Sequence, residues 1–349
     1  MQALQINQYG QPLALNAVAQ PVPTGGETLV RVTACGMCHS DLHIHAGGFN
    51  LGGGQTQPIA GSHALPHTLG HEIEGILEAA GPDASLPAGV RLGSRVAVYP
   101  WIGCGNCAAC AADHETLCLA PRQLGIHAPG GFATHVLVPA GRYLLGCDGI
   151  EPGRAGLMMC SGLTAYGALA KTPADAALLL LGAGGVGLTA IHIARMLGRP
   201  APVVADTSAA ARDAALAAGA AAVLDPAEPG ALEAALALSG GGFAAAIDFV
   251  GATATTGFAV QSLAKGGTLV VVGLFGGTLS LPILLFPVRQ LRVLGSMTGT
   301  LAEAHALLDL VRARGAPPIP LHPHALRDGE AARAALAVGS VHGRIVLTP

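Results

Sequence analysis

The stretch Leu178-Leu179-Leu180-Leu181-Gly182-Ala183-Gly184-Gly185-Val186-Gly187 constrains this chain more than any other. A continuous apolar run bounded by glycine reads as a strand buried on both faces, and the residues that follow read as a helix. G-x-G-x-x-G between them has one local solution. Gly182 permits the tight turn, Gly184 lets the backbone approach a diphosphate, and Gly187 lets the helix pack close to the strand. Gly185 and Val186 then open the helix. The glycine pattern alone is weak in a chain with 50 Gly. Asp206 strengthens it, because it ends the next apolar run, 206 − 187 = 19 residues beyond the last Gly. A carboxylate there binds the adenosine ribose hydroxyls. It would repel a 2′-phosphate, and Thr207-Ser208-Ala209 supplies no cation nearby, so NAD is expected rather than NADP.

The same alternation continues beyond it. Apolar runs at 203–205, 223–224, 245–247 and 268–272 are interleaved with helical patterns ending at Ala218 and spanning 231–238. Strand and helix at this pitch predict a parallel sheet with helices on both faces. Residues 1 to about 155 read as all-β, with short alternating or β-branched runs at 29–32, 95–99 and 133–138 punctuated by Gly and Pro. Beyond about residue 300 come one helix, 302–314, and a mixed tail ending in 343–346. A length of 349 residues exceeds what one core supports. Two domains are therefore expected, 1–160 with 300–349, and 161–299. Residues 47–66 read as a loose Gly-rich loop. Residues 268–288 carry no charge and are long enough to cross a bilayer. Gly273, Gly276, Gly277, Pro282 and Pro287 oppose a helix there, so two buried strands joined by a Gly turn are expected instead.

Charge narrows the partners. Charged residues make up 11%, the formal net charge is −3, and Lys171 and Lys265 are the only lysines. With no basic block, nucleic acid is not expected. The start, Met1-Gln2-Ala3-Leu4-Gln5-Ile6, has neither a basic flank nor a long apolar run, so a cytoplasmic protein without membrane association is expected. Eight cysteines in that setting point to metal or redox chemistry rather than disulfides.

Four of them form C-x₂-C-x₂-C-x₇-C at Cys104, Cys107, Cys110 and Cys118. All four positions are thiols, which suits a closed structural zinc site that knits a loop. An iron–sulfur cluster is the rival, but its bacterial motif brings the fourth Cys after three residues with Pro behind it, whereas Leu119 follows Cys118 here. A second grouping starts at Cys38-His39-Ser40-Asp41-Leu42-His43. Cys38, His71 in Gly70-His71-Glu72, and Cys160 would give three ligands with one position open, the catalytic form of a zinc site. Asp41 and Glu72 are candidate supporting carboxylates. His67 has helical zinc-pair spacing to His71, but Pro66 and Gly70 oppose a helix, which leaves it a loop or pocket residue. Cys35 and Cys147 have no partner in any motif and read as small core residues.

Taken in order, Cys38–Asp41, Gly70–Glu72, the four-Cys lobe, Cys160 and Gly182–Gly187 resemble the zinc-containing medium-chain alcohol dehydrogenases, for which Cys₂His is the known catalytic set. The resemblance covers the whole chain, including Gly343-Arg344, and is closest to bacterial and archaeal NAD-linked members, typically tetrameric. It implies a GroES-like β-rich catalytic domain, a Rossmann doubly wound cofactor domain, and an active site in the cleft between them. It also implies two zinc ions per subunit, a catalytic one on Cys38, His71 and Cys160 and a structural one on the four-Cys lobe. Asp41 and Glu72 would stand behind the catalytic metal. Ser40 would take the alcohol proton and pass it through the nicotinamide ribose to His43. His39 and Arg344 would meet the pyrophosphate, and Thr164 and Val186 the nicotinamide. Leu274 would stand at the cofactor, and with Phe49 and Trp101 would line the substrate pocket.

The implied activity is reversible oxidation of an apolar primary or secondary alcohol to an aldehyde or ketone with NAD. A polyol dehydrogenase, a zinc-dependent reductase of activated double bonds or carbonyls, and a non-catalytic NAD-binding regulator are the alternatives. A dimer or tetramer is implied, because 279–285 and 291–294 resemble strands that pair between subunits. Since the metal ligands lie far apart in sequence, the site is expected to assemble only when both domains are folded.

Overall fold

The ten-residue strand Thr28–Met37 is buried over most of its length and pairs on both edges, which makes it the spine of a sheet. In a computed structural model describing residues 1–341 and 343–349, that sheet runs in the order Leu144–Gly146, Arg95–Val98, Glu72–Ala80, Thr28–Met37, Arg344–Thr348, Leu321–Ala325, with His135–Val138 also paired to the spine. A smaller sheet joins Ala14–Ala17, Gln2–Ile6 and His67–Thr68. Both belong to one compact unit made of Met1–Gly48, Pro58–Cys160 and Thr300–Pro349. Its interior includes Tyr99, Phe132, Leu4, Ile73 and Leu77, all fully buried. Each such side chain contributes about 1.5–3 kcal/mol of burial.

This region is not all-β as expected. The helix His39–Ala46 follows directly on the spine, ended by Gly47 in a left-handed conformation. Its short, polar sequence has no helical apolar stripe to reveal it, and its N-terminus is fixed by a side chain. The Asp41 carboxylate accepts a hydrogen bond from the Cys38 N–H at 2.9 Å, as the third residue of a capping box does.

The second unit comprises Phe49–Gln57 and Ser161–Gly299. Its six parallel strands run Ala222–Leu224, Val203–Ala205, Leu178–Leu181, Phe243–Asp248, Leu263–Val271, Arg292–Gly295. Numbered along the chain this is 3-2-1-4-5-6, the doubly wound dinucleotide order. Four consecutive leucines, each buried, form the first strand, and the helix Gly185–Met196 starts four residues after it.

Two segments differ from expectation. Within 268–288 one strand ends at Val271, and the remainder is an irregular stretch followed by the short helix Leu285–Arg289, with Ile283 85% exposed. Gly276, Gly277 and Pro282 break the second strand as effectively as they would a helix. Within 47–66 the chain forms a two-stranded hairpin, Gly48–Gly52 with Gln55–Pro58. Residues 49–57 of it pack as part of the second unit: Asn50 Nδ2 donates to the Phe275 carbonyl at 3.2 Å. Among the described residues no helix is long and apolar enough to cross a membrane.

Candidate functional site

One strand, one helix and one π-type turn build the first cluster. Glu72 begins the strand Glu72–Ala80, His71 precedes it, and Cys38 stands at the N-terminus of His39–Ala46. Cys160 sits in a single π-type turn, Met158–Gly162, a local widening of a helix that often marks a functional position. The Cys38 and Cys160 sulfurs, an imidazole nitrogen of His71 and a carboxylate oxygen of Glu72 all lie within 4.8 Å of one another, and all four residues are buried. Cys38 Sγ and His71 Nε2 are 3.1 Å apart. On the far side of the imidazole, His71 Nδ1 lies 3.6 Å from Asp41 Oδ1. Nε2 is turned toward the thiols while Nδ1 faces the carboxylate at ion-pair distance, without a hydrogen bond between them.

The electrostatics of this cluster call for a cation. Glu72 Oε1 accepts from the Arg344 guanidinium, while Glu72 Oε2 is a buried oxygen without a hydrogen-bond partner. A hydrogen bond from Cys160, then the charge of His71, holds the Cys38 thiol well below its ordinary range against burial. Burial alone would depress His71, but the Cys38 thiolate and Asp41 outweigh it and push the imidazole up to about 10. Burial, followed by Cys38, pushes Asp41 up to about 7. A buried thiolate beside two carboxylates is stable only with compensating positive charge. Two thiols, one imidazole and a carboxylate at this spacing are the donor set zinc favours.

The second cluster is the lobe Cys104, Cys107, Cys110 and Cys118. Cys107 and Cys110 sulfurs are 3.5 Å apart, Cys107 and Cys118 3.8 Å, and Cys104 and Cys110 4.0 Å. A disulfide needs about 2.05 Å. Thiolates placed tetrahedrally about 2.3 Å from zinc stand about 3.8 Å apart, which matches. The Cys104 and Ala120 N–H groups both point at the Cys118 sulfur, and the Asn106 N–H holds the Cys104 thiol down to about 6.

The third element is the turn after Leu178–Leu181. Gly182 has φ +92°, and a Cβ on Gly187 would lie 2.0 Å from the Gly182 carbonyl oxygen. A Cβ on Gly184 would meet nothing within 4 Å, so this backbone faces open space. The helix start has no side-chain cap, as suits a site for an anion. Asp206 Oδ2 accepts from the Ala183 N–H at 2.8 Å, which ties the acidic strand end to the glycine turn. The expectation that no cation stands near Asp206 needs correction. Arg212 Nη1 donates to the Asp206 carbonyl at 2.7 Å and the Thr207 carbonyl at 3.0 Å, and pairs with Asp225 at 2.9 Å. One helical turn carries it back to the strand end, beyond Thr207-Ser208-Ala209.

Residues 24–148 match the alcohol dehydrogenase GroES-like domain and residues 185–313 match the zinc-binding dehydrogenase family. An NAD-dependent alcohol dehydrogenase of Sulfurisphaera tokodaii is 34% identical over 354 aligned positions covering all of both chains. The chain belongs to the zinc-containing medium-chain alcohol dehydrogenases. Its fold agrees with other members. The alcohol dehydrogenase of the archaeon Aeropyrum pernix is 26% identical with a TM-score of 0.86, covering all of both chains. L-galactonate-5-dehydrogenase of Escherichia coli is 32% identical over 80% of this chain and 78% of its own.

In this family member the whole Cys38, His71, Glu72 and Cys160 cluster lies within the first unit. The expectation that both domains must fold to assemble it is therefore corrected: Cys160 closes the second of the three segments that make up the β-rich unit, and sequence distance is not spatial distance. Ser40 and His43 lie on His39–Ala46, both partly buried, and His39 is exposed. Burial, then the neighbouring His39, lowers the His43 pKa. Arg344 is buried against Glu72, and its Nε has no hydrogen-bond partner among the described residues. Trp101 is buried with its ring centroid 5.3 Å from that of His71, and its indole N–H donates to the Met159 carbonyl at 2.7 Å. Thr164 and Val186 are partly buried, Phe49 likewise, and Leu274 is 54% exposed. His67 is in a strand rather than a loop, buried and stacked on His63 at 3.9 Å.

Sequence reasoning missed two supports. Gly36 admits Glu72, since a Cβ there would lie 1.9 Å from Glu72 Oε2. Glu74 is buried and accepts from Arg95 at 2.9 Å, from Gly153 N at 3.1 Å and from Ala155 N at 3.0 Å, which fixes the approach to the Cys160 turn. The available signal was a pair of carboxylates two residues apart at the start of a strand, Glu72-Ile73-Glu74.

Proposed function

We propose that this chain is a cytoplasmic, reversible NAD-dependent alcohol dehydrogenase acting on apolar primary or secondary alcohols. The observation that carries the reading is the buried convergence of Cys38, His71, Cys160 and Glu72 in a full-length relative of NAD-dependent alcohol dehydrogenases. Cys38, His71 and Cys160 hold the catalytic zinc, with Glu72 as a fourth donor or close support, and the four-Cys lobe holds a second. A zinc ion in the first site supplies Lewis acidity toward the substrate oxygen.

The chain's own residues do the rest. Asp41 orients His71 and offsets its charge. Arg344 neutralises Glu72, so that the carboxylate can lie beside two thiolates. Ser40 Oγ takes the alcohol proton, and the His43 imidazole, kept neutral near pH 7 by burial and His39, accepts it for release to solvent. The Gly182–Gly187 backbone binds the diphosphate and Asp206 the ribose hydroxyls. Thr164, Val186 and Leu274 hold the nicotinamide end, His39 assists at the diphosphate, and Phe49 and Trp101 select apolar substrate.

A homo-oligomer completes the reading. All four residues of the edge strand Arg292–Gly295 are exposed, and so are Ile283 and the 69% exposed Leu284 earlier in the chain. An exposed edge strand of this kind is covered by a second copy of the chain, in a dimer or a tetramer.

The test is NAD⁺ reduction across alcohol classes, with and without chelator. Chelator-sensitive turnover of apolar alcohols is expected. Selective turnover of sugar acids or polyols, as the name of the Escherichia coli relative suggests, would overturn the substrate class. No turnover of any alcohol, with NADH still bound, would point to a binding protein.

A further inference from the structure

Asp248 is completely buried at the carboxyl end of Phe243–Asp248, and five donors converge on it. Its Oδ1 accepts from the Val250 and Gly251 N–H groups, both at 2.9 Å, and its Oδ2 from the Thr255 hydroxyl at 2.8 Å. Its carbonyl oxygen accepts from Val272 N at 2.9 Å and Gly273 N at 3.0 Å. One residue thus clamps two segments that leave neighbouring strands, the turn 249–252 with the start of the helix Thr253–Ser262, and the loop 272–278.

Those loops touch backbone to backbone. A Cβ on Gly251 would lie 2.0 Å from the Gly273 carbonyl oxygen, and Phe275 N and Gly276 N donate to the Val250 and Gly251 carbonyls at 3.1 Å. Thr278 N donates to Thr253 Oγ1 at 2.9 Å. On the other side the platform leans on the dinucleotide turn. Phe249 N donates to the Leu181 carbonyl at 2.9 Å, and Val250 Cγ2 lies 2.8 Å from where a Gly182 Cβ would stand.

Position gives this platform a meaning. In the 3-2-1-4-5-6 order each half of the sheet receives one mononucleotide across its carboxyl edge. Asp206 marks the first half, for adenosine. Asp248 ends the first strand of the other half. We infer that Asp248 is a positioning residue for the nicotinamide end of the cofactor, holding 249–251 and 272–277 as one rigid surface. The inference rests on the NAD reading above.

A residue that merely stabilises the unit would weaken every ligand alike, whereas a positioning residue for the nicotinamide half discriminates between NADH and ADP-ribose. The experiment measures both affinities calorimetrically on the zinc-loaded enzyme and on Asp248→Ala, Asp248→Asn and Thr255→Val. Asp248→Ala should weaken NADH by about tenfold or more, the scale of losing three buried hydrogen bonds, with ADP-ribose affinity unchanged. Thr255→Val removes one of the three and should weaken NADH about threefold, again without effect on ADP-ribose. Asp248→Asn should stay near wild type. Its amide oxygen can serve Val250 and Gly251, and its NH₂ can donate to Thr255 Oγ1, whose own hydrogen can go to the Ala252 carbonyl at 3.0 Å.

Equal NADH affinity in all four proteins overturns the inference, and so does a parallel loss of NADH and ADP-ribose. If Asp248→Ala fails to fold, Thr255→Val decides by the same split. A wild-type protein that binds neither ligand refutes the NAD reading itself, a result distinct from either.

Discussion

Consider Glu74 replaced by Gln, an isosteric change in the carboxylate that fixes the approach to Cys160. In the native chain Oε1 receives the Arg95 guanidinium and Gly153 N, and Oε2 receives Ala155 N. An amide has one acceptor oxygen, so its NH₂ must face either Ala155 N–H or the Arg95 and Gly153 donors. At least one buried N–H loses its acceptor, at a cost of about 1–3 kcal/mol. Arg95 also loses its countercharge, and breaking a buried pair costs about 3–5 kcal/mol. The Arg95 side chain is 21% exposed and keeps hydrogen bonds to the Cys147 and Ile150 carbonyls, which places the sum near the lower end. A loss of about 4 kcal/mol is expected, with the urea midpoint lowered by about 1–4 M at unchanged slope. The same change should loosen Cys160. A chromogenic chelator should therefore strip metal faster in the phase that tracks loss of turnover, while the phase belonging to the four-Cys lobe keeps its rate. A stability change within about 0.5 kcal/mol together with unaltered chelator kinetics would refute the bracing role.

Cys38→Ser removes a soft ligand from the first cluster; turnover should vanish and one equivalent of zinc be lost, while NADH titration stays at wild-type affinity because the glycine turn lies in the other unit. Retained activity would sink the ligand assignment. Asp206→Gly removes the charge that repels a 2′-phosphate beside Arg212, so the NAD/NADP ratio of kcat/KM should fall by about tenfold or more, and an unchanged ratio counts against both residues. His67 supplies a pH prediction. Burial, then His63, pushes its pKa down to about 4 from an ordinary 6.5. The unfolded chain therefore binds the extra proton between those values, and stability falls as pH drops from about 6.5 to 4, by about 3 kcal/mol in total. The contribution is fully present above pH 6.5. His67→Leu should flatten that part of the wild-type stability curve in chemical denaturation at several pH values, and parallel curves would show that another group titrates.

The fold was legible where one physical rule acts alone. Four leucines followed by Gly182-Ala183-Gly184 admit a buried strand and a tight turn and little else, so that element and its neighbours at 203–205 and 231–238 could be located from the chain alone. Cys104 to Cys118 is legible for a similar reason, since four thiols within fifteen residues have few uses. The helix His39–Ala46 was not legible, because its start depends on Asp41 reaching back to Cys38 N rather than on an apolar stripe. The stretch beyond Val271 was misread because apolar composition does not say what the residues are buried against; there, Ile283 and Leu284 are exposed on this chain.

The supports of the site were hidden for a further reason: they are defined by what lies opposite them. Gly36 has no meaning until Glu72 is placed across from it in the register of two antiparallel strands. Glu74 and Glu72 look alike in sequence, yet one receives two backbone N–H groups and an arginine while the other retains an unpartnered oxygen among thiols. The first is a satisfied carboxylate, and satisfied buried groups hold structure; the second pairs with Arg344 through one oxygen and keeps the other without a donor, and an unsatisfied buried acceptor among thiols suits a ligand. Pairing, not residue type, separates the brace from the candidate metal donor. The same test assigns Arg344, whose guanidinium serves Glu72 on one side and keeps a bare Nε on the other.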